Sequence, residues 1–150
     1  MDGIYAREAP YLERFVQFGY AQGKVLRVTF PPEPDDGAGT DHPLLDRIDA
    51  YLEGERETFD DVEVALTVAT DGRSVLETLR GVPYGESVGV EQLARMTPGL
   101  DAADEDDHAT VREALADNPA PLLIPDHRVR DDTSGAPAPV EQKLGALEGV

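Results

Sequence analysis

Asn118-Pro119-Ala120-Pro121-Leu122-Leu123-Ile124-Pro125-Asp126-His127-Arg128-Val129 is the stretch on which the reading of this chain turns. An apolar run from Pro121 to Ile124 leads in, Pro125 fixes the backbone, and Asp126, His127 and Arg128 then stand in a row. An apolar lead-in brings a chain to the edge of a core, so the polar groups that follow are delivered to that edge. Asn118 before Pro119 is a turn signal, since the Asn side chain bonds nearby backbone and proline cannot continue a helix.

Outward from this loop, residues 104–117 carry Val111, Ala114 and Leu115 at helical spacing. A Pro98-Gly99 turn precedes them, and before it Val90, Leu93 and Ala94 mark a short helix over Val90–Met96. Two short helices joined by a turn fit a helix-turn-helix. After the loop, Asp131 to Pro139 reads as a further loop and Val140 to Glu148 as a terminal helix. A boundary falls near Pro83-Tyr84-Gly85, beyond which the chain is helical in character with no clear alternating strand. Upstream of it, Asp71 opens a helix with Val75, Leu76 and Leu79 inward and Gly81 at its end, and Val62 to Ala69 alternates as a strand. Leu44, Leu45, Ile48, Tyr51 and Leu52 share one helix face, capped by Thr40 or Asp41 and stopped by Gly54. Val16, Phe18 and Tyr20 run into Gln22-Gly23 and then Val25 to Phe30, a strand, tight turn and strand. Pro31 to Thr40 is a loose loop. The fold class expected is α+β.

Thirty-one acidic residues face 13 basic ones, of which two, Lys24 and Lys143, are lysines, for a net charge of −18. Abundant carboxylates with almost no lysine suit a halophilic cytoplasm, where a hydrated acidic surface keeps protein soluble. Disorder does not fit, because hydrophobic residues make up 40% and fall in periodic blocks. In molar salt the Debye length is about 3 Å, so the net charge repels nucleic acid only weakly. No apolar run reaches the roughly 18–20 residues of a membrane span and no signal-peptide pattern opens the chain. A soluble, cytoplasmic, monomeric protein without cofactor or metal is expected. The chain has no cysteine, which removes disulfides, thiolate metal sites and sulfur nucleophiles.

The segment 118–129 resembles the active-site signature of the O6-alkylguanine-DNA alkyltransferases (methylated-DNA–protein-cysteine methyltransferases), Pro-Cys-His-Arg-Val after an Asn-Pro hinge, with Asp126 at the position of the alkyl-accepting cysteine. Val82-Pro83-Tyr84-Gly85-Glu86 is similar to the family's Ile-Pro-Tyr-Gly-x-Thr, Gln92-Leu93-Ala94 to the helix after it, and Leu144 with Glu148 to its closing Lys-x-x-Leu-Leu-x-x-Glu. There the Lys would fall at Glu141. Asp71 to Leu76 looks like a degraded form of the Gly-Thr-x-Phe-x-x-x-Val-Trp element. Residues 42–150 carry the resemblance well and the first 41 only loosely. It implies an N-terminal α/β domain over 1–70 and a helical, winged-helix-like domain over 71–150. It also implies a reaction, in which the family flips an alkylated guanine out of duplex DNA and moves the alkyl group to cysteine.

By the same resemblance His127 and Glu148 occupy the relay that activates the thiol, and Asn118 the hinge. Arg128 follows the relay histidine and is taken by the resemblance as a DNA-contact position; its side chain is also expected to reach a carboxylate or a backbone carbonyl. The tyrosine that rotates the target phosphate would fall at Val90 and the intercalating arginine at Ala109, neither of which can serve. The Gly-rich segment lining the base pocket is shortened to Ser134–Pro139, where Pro137 and Pro139 lack N–H donors. A carboxylate is a far poorer nucleophile toward an alkyl ether than a thiolate. Three functions follow: a non-catalytic, alkyltransferase-like protein that binds O6-alkylguanine in double-stranded DNA and flags it to a repair-protein partner; a divergent scaffold or partner-binding module without DNA binding; and alkyl transfer through an Asp126 ester. The run Asp104-Glu105-Asp106-Asp107-His108 reads as helix-start carboxylates rather than a metal cluster, since adjacent helix residues diverge.

Overall fold

A computed structural model describes residues 2–67, 70–131 and 135–150. The chain opens with strand β1 (Gly3–Ala9), turns through a single 3-10 turn at Pro10–Leu12, and continues as β2 (Arg14–Ala21) and β3 (Lys24–Thr29). The three form an antiparallel meander in the order β1-β2-β3, with Phe18 opposite both Tyr5 and Val28 and a register irregularity between Gly19 and Tyr20. The expected hairpin turn is made by Gln22 at φ 54° and Gly23 at φ 79°. Two successive positive-φ residues twist a two-residue loop to match the strands. The sequence reading set no separate strand over Gly3–Ala9; the structure adds it as the first strand of the meander.

Five α-helices follow among the described residues: α1 (Pro43–Leu52), α2 (Thr70–Leu79), α3 (Val90–Met96), α4 (Glu105–Ala116) and α5 (Ala138–Glu148). The faces assigned from periodicity are the buried ones: Leu44, Leu45, Ile48 and Tyr51 on α1, Val75, Leu76 and Leu79 on α2, Val111, Ala114 and Leu115 on α4. α1 is capped by neither Thr40 nor Asp41. His42 does it, its Nδ1 accepting from the Leu44 amide at 3.0 Å. Pro43 at the first helical position has no N–H to satisfy, so the cap falls on the residue immediately before it. α5 starts two residues earlier than expected, because Pro139 sits in the first turn, where a missing N–H costs nothing.

The strand expected over Val62–Ala69 is not a ladder. Its described part makes one parallel bridge, Val64 to Val25, with Val25 N–H to the Glu63 carbonyl at 2.9 Å and Ala65 N–H to the Val25 carbonyl at 2.8 Å. Val62, Val64 and Leu66 are half-buried by packing on the core, so the alternation records burial and not extended pairing. Val68 and Ala69 lie outside the described residues. α3 and α4 form the expected helix-turn-helix, and α4 packs on α2 as well. The architecture is the α+β fold the sequence predicts. One buried cluster runs from Ala9 through Val25, Tyr51, Leu76 and Leu115 to Leu144, so sheet and helices share it.

Candidate functional site: a buried carboxylate at the nucleophile position

The loop after α4 is held at both ends. Val28 of β3 donates its amide to the Pro119 carbonyl at 2.8 Å. Further on, Val88 N–H reaches the Arg128 carbonyl at 2.8 Å and Arg130 N–H returns to the Val88 carbonyl at 3.0 Å. Between these anchors the backbone folds tightly enough that Leu122 takes φ 81°, a left-handed conformation for a leucine that is 3% exposed. Asn118 organises this turn with both ends of its amide. Its Oδ1 accepts from the Ala120 amide at 3.0 Å, while Nδ2 donates to the Ile124 carbonyl at 3.1 Å and to Asp126 Oδ2 at 2.9 Å.

Asp126 begins a 3-10 turn, Asp126–Arg128, and is 1% exposed. Its Oδ2 accepts two N–H groups, Asn118 Nδ2 and the Gly135 amide at 2.7 Å. The shortened loop therefore comes back onto the carboxylate, and a Cβ at Gly135 would stand 2.8 Å from the Asn118 carbonyl oxygen. Only a glycine lets the backbone approach this closely. Ser134 and the two residues before it lie outside the described residues.

On the other side of the motif, Glu148 of α5 gathers five donors around a side chain with no exposed surface. Arg128 gives Nε to Oε1 at 2.7 Å and Nη2 to Oε2 at 3.0 Å, a two-point fork. The Gly85 amide reaches Oε1 at 3.1 Å, from a glycine held at φ +80°. His127 Nε2 lies 2.6 Å from Oε2, and the Tyr51 hydroxyl donates a hydrogen bond to the same oxygen. Burial raises the Glu148 pKa, but the bonds from His127 and Arg128 outweigh it and hold the carboxyl well below the usual carboxylate range. Burial, then the hydrogen bond to Glu148, pushes the Tyr51 phenol far above its ordinary value. Arg128 also donates Nη1 to the Val82 carbonyl at 2.7 Å and lies over the Tyr84 ring, 5.8 Å from its centroid.

A carboxylate only accepts, so the proton on His127 Nε2 points at Glu148, and Nδ1 is left buried with no partner among the described residues. The imidazole is thus fixed in ring orientation, with its second nitrogen uncommitted. Asn118, Asp126, His127, Arg128 and Glu148 are brought together. Val90 and Ala109 are not among them: Val90 is 1% exposed in the core, and Ala109 lies on the exposed surface of α4. At the start of α4, Asp104 accepts from the Asp106 amide at 2.8 Å and Asp107 from the Asp101 amide at 2.7 Å, so two of the run's carboxylates serve the helix entry.

Tyr51, Gly85 and Gly135 were not singled out from sequence. Tyr51 carries a helical-face signal that marks only burial, and its hydroxyl finds Glu148 from 97 residues away. Tyr51→Phe is expected to cost about 1.5–3 kcal/mol, the worth of a hydrogen bond to a charged group with the ring retained. Urea unfolding at high salt measures it.

No protein-family model matches the chain. It is 36% identical over 111 residues to the methylated-DNA–protein-cysteine methyltransferase of Methanopyrus kandleri, the match covering 70% of this chain and 77% of that protein. The protein of the same name from Metallosphaera sedula is 34% identical over 107 residues, covering 70% of this chain and 64% of that one. Among solved structures, the O6-methylguanine methyltransferase of Mycobacterium tuberculosis superposes with a TM-score of 0.75 at 22% identity, covering 99% of this chain and 93% of that one. A second structure from that organism, in complex with DNA, gives 0.67 at 22% identity, covering 96% and 98%. The chain belongs to the methylated-DNA–protein-cysteine methyltransferase family, and it stands in that family with Asp126 in its motif and no cysteine anywhere in its sequence.

Proposed function

We propose that this chain is a non-catalytic, alkyltransferase-like DNA-damage-binding protein acting in DNA repair. The observation that carries the non-catalytic part is the state of Asp126: a buried carboxylate whose Oδ2 is engaged by Asn118 and the Gly135 amide. A nucleophile needs a free lone pair aimed at the substrate, and a weak carboxylate nucleophile tied by N–H groups is weaker still. The relay of His127 and Glu148 then serves the fold, joining α5 to the motif loop. The helix-turn-helix of α3 and α4, in a fold also seen bound to DNA in the mycobacterial protein, supports duplex DNA with O6-alkylguanine as the partner. The same reading divides the chain at about residue 70 and assigns it, as a monomer with a repair-protein partner, to a salt-rich cytoplasm. No helix among the described residues is long and apolar enough to cross a membrane.

A second reading, a scaffold or partner-binding module without DNA binding, is favoured by a specific contact. Gly135 packs against Asn118 and Asp126, closing over the position of the family's acceptor cysteine, and neither Val90 nor Ala109 offers a group to flip a base. Unstacking a base costs a few kcal/mol that some inserted side chain must offset. A titration in molar KCl with duplexes carrying O6-methylguanine or guanine separates the two: preference for the lesion is the expected result, and equal failure on both transfers the case to the scaffold. Intact mass after the incubation is expected to be unchanged. An added methyl on Asp126, with the O6–carbon bond broken and a carboxylate ester formed, would establish the catalytic alternative.

A further inference from the structure

Four arginines, Arg47, Arg56, Arg80 and Arg128, surround the aromatic cluster of Tyr51, Phe59 and Tyr84. Arg47 lies over Phe59 at 5.4 Å, and Arg56 and Arg128 over Tyr84 at 5.2 and 5.8 Å. Beside this cluster opens a cavity of about 240 Å³ whose walls include Phe59, Arg80, Tyr84, Leu122, Pro125 and Arg128. Arg47 and Arg128 are already paired, with Glu57 and Asp61 and with Glu148. Arg80 is not. Its Nη2 donates to the Phe59 carbonyl and, at 2.8 Å, to the Val62 carbonyl, and neither Nε nor Nη1 has a partner among the described residues. Half-buried Arg80 thus has only carbonyl oxygens as hydrogen-bond partners among the described residues; Asp60 and Asp61 act on its charge through space without a hydrogen bond, and desolvation outweighs them and lowers its pKa. Arg56 likewise has no carboxylate partner among the described residues, in a chain where carboxylates outnumber cations more than twofold. Two carboxylates do line the cavity, and both are engaged, Glu57 by Arg47 and Asp60 by the Thr58 hydroxyl.

We propose that this cavity binds a small organic oxyanion, a carboxylate or phosphate monoester on a planar body. The oxyanion meets one of the N–H groups that Arg80 has left, a single charge-assisted bond because Nη2 already serves two carbonyls, and the planar body lies against Phe59 and Tyr84. The volume limits the ligand. At roughly 30 Å³ per water it holds about eight waters' worth of space, enough for a substituted ring and short of the roughly 300 Å³ from which drug-sized pockets begin. Leu122 and Pro125 belong to the loop that leads to Asp126, so an occupant touches the back of the motif.

Phenyl phosphate is the probe, with inorganic phosphate and benzoate as comparison arms, followed by amide chemical shifts in low-salt buffer. Saturable shifts at Gly81, Val82 and Tyr84 are expected with phenyl phosphate or benzoate, and weaker binding of inorganic phosphate. Arg80→Leu is expected to weaken binding about tenfold, as loss of a charge-assisted contact does. Because Arg80 also ties the Phe59 and Val62 carbonyls, Arg56→Gln, an exposed change, gives the independent reading: about threefold weaker binding with the fold intact. No saturable shift with any probe, equal binding by both variants and the parent, or inorganic phosphate binding as well as phenyl phosphate would each overturn the proposal.

Discussion

Glu148→Gln is expected to remove about 3–5 kcal/mol of folding stability, although the new side chain has almost the same shape. Five donors converge on that carboxylate of α5 from three other parts of the chain: α1 through Tyr51, the turn at Gly85, and His127 and Arg128 of the motif. A glutamine places an NH2 group among N–H donors and leaves the Arg128 guanidinium buried without its counter-charge. Domains of this size hold about 5–15 kcal/mol in total, so the variant should lie close to unfolding at ordinary temperature. Urea titration in high salt measures the loss, and a change under about 1 kcal/mol would refute the convergence as a source of stability. The sign of the pH dependence follows from the depressed carboxyl. The folded pKa lies below the ordinary 4.5, so the stabilisation is complete above about 4.5 and drains away as pH falls from there toward the folded value. The gap between parent and variant should therefore close on acidification.

Asp126→Ala is expected to cost about 2–4 kcal/mol, since it strands two N–H donors, Asn118 Nδ2 and the Gly135 amide, that the carboxylate satisfies. Asp126→Asn should cost less, because its carbonyl oxygen still accepts both. Hydrogen exchange gives a local reading. The Gly135 amide is protected in the parent and should exchange about tenfold faster or more in the alanine variant. If the alanine variant is as stable as the parent and that amide exchanges at the parent's rate, Asp126 is a passive replacement for the lost cysteine and holds nothing in place.

Much of the fold was legible from residue order because the signals were local. Leu44, Leu45, Ile48 and Tyr51 recur at helical spacing whatever lies opposite, and Gln22-Gly23 between alternating runs is a turn on its own. The candidate residues Asn118, Asp126, His127 and Arg128 sit in one short stretch, and Glu148 was found through the resemblance of the closing helix. The failures share a cause. Val62 to Leu66 alternates as a strand would, yet its outcome depends on how much of the β3 edge is open to it, and one bridge is what it makes. The α1 cap passed to His42 because Pro43 changed which amide needed a partner.

From its residues alone this chain has no sulfur nucleophile, a carboxylate in its place, helices where apolar residues recur, and a surface crowded with acid. These are matters of identity and short-range spacing, and no folding is needed to know them. What tertiary structure decided is the use to which those residues are put. Tyr51 reaches Glu148 across 97 residues, Gly85 lends its amide from another turn, and Gly135 comes down on Asp126. Hydrogen bonds between distant segments leave no period in a sequence. They exist only once burial has removed water as the competing partner, and that happens when the chain has closed on itself.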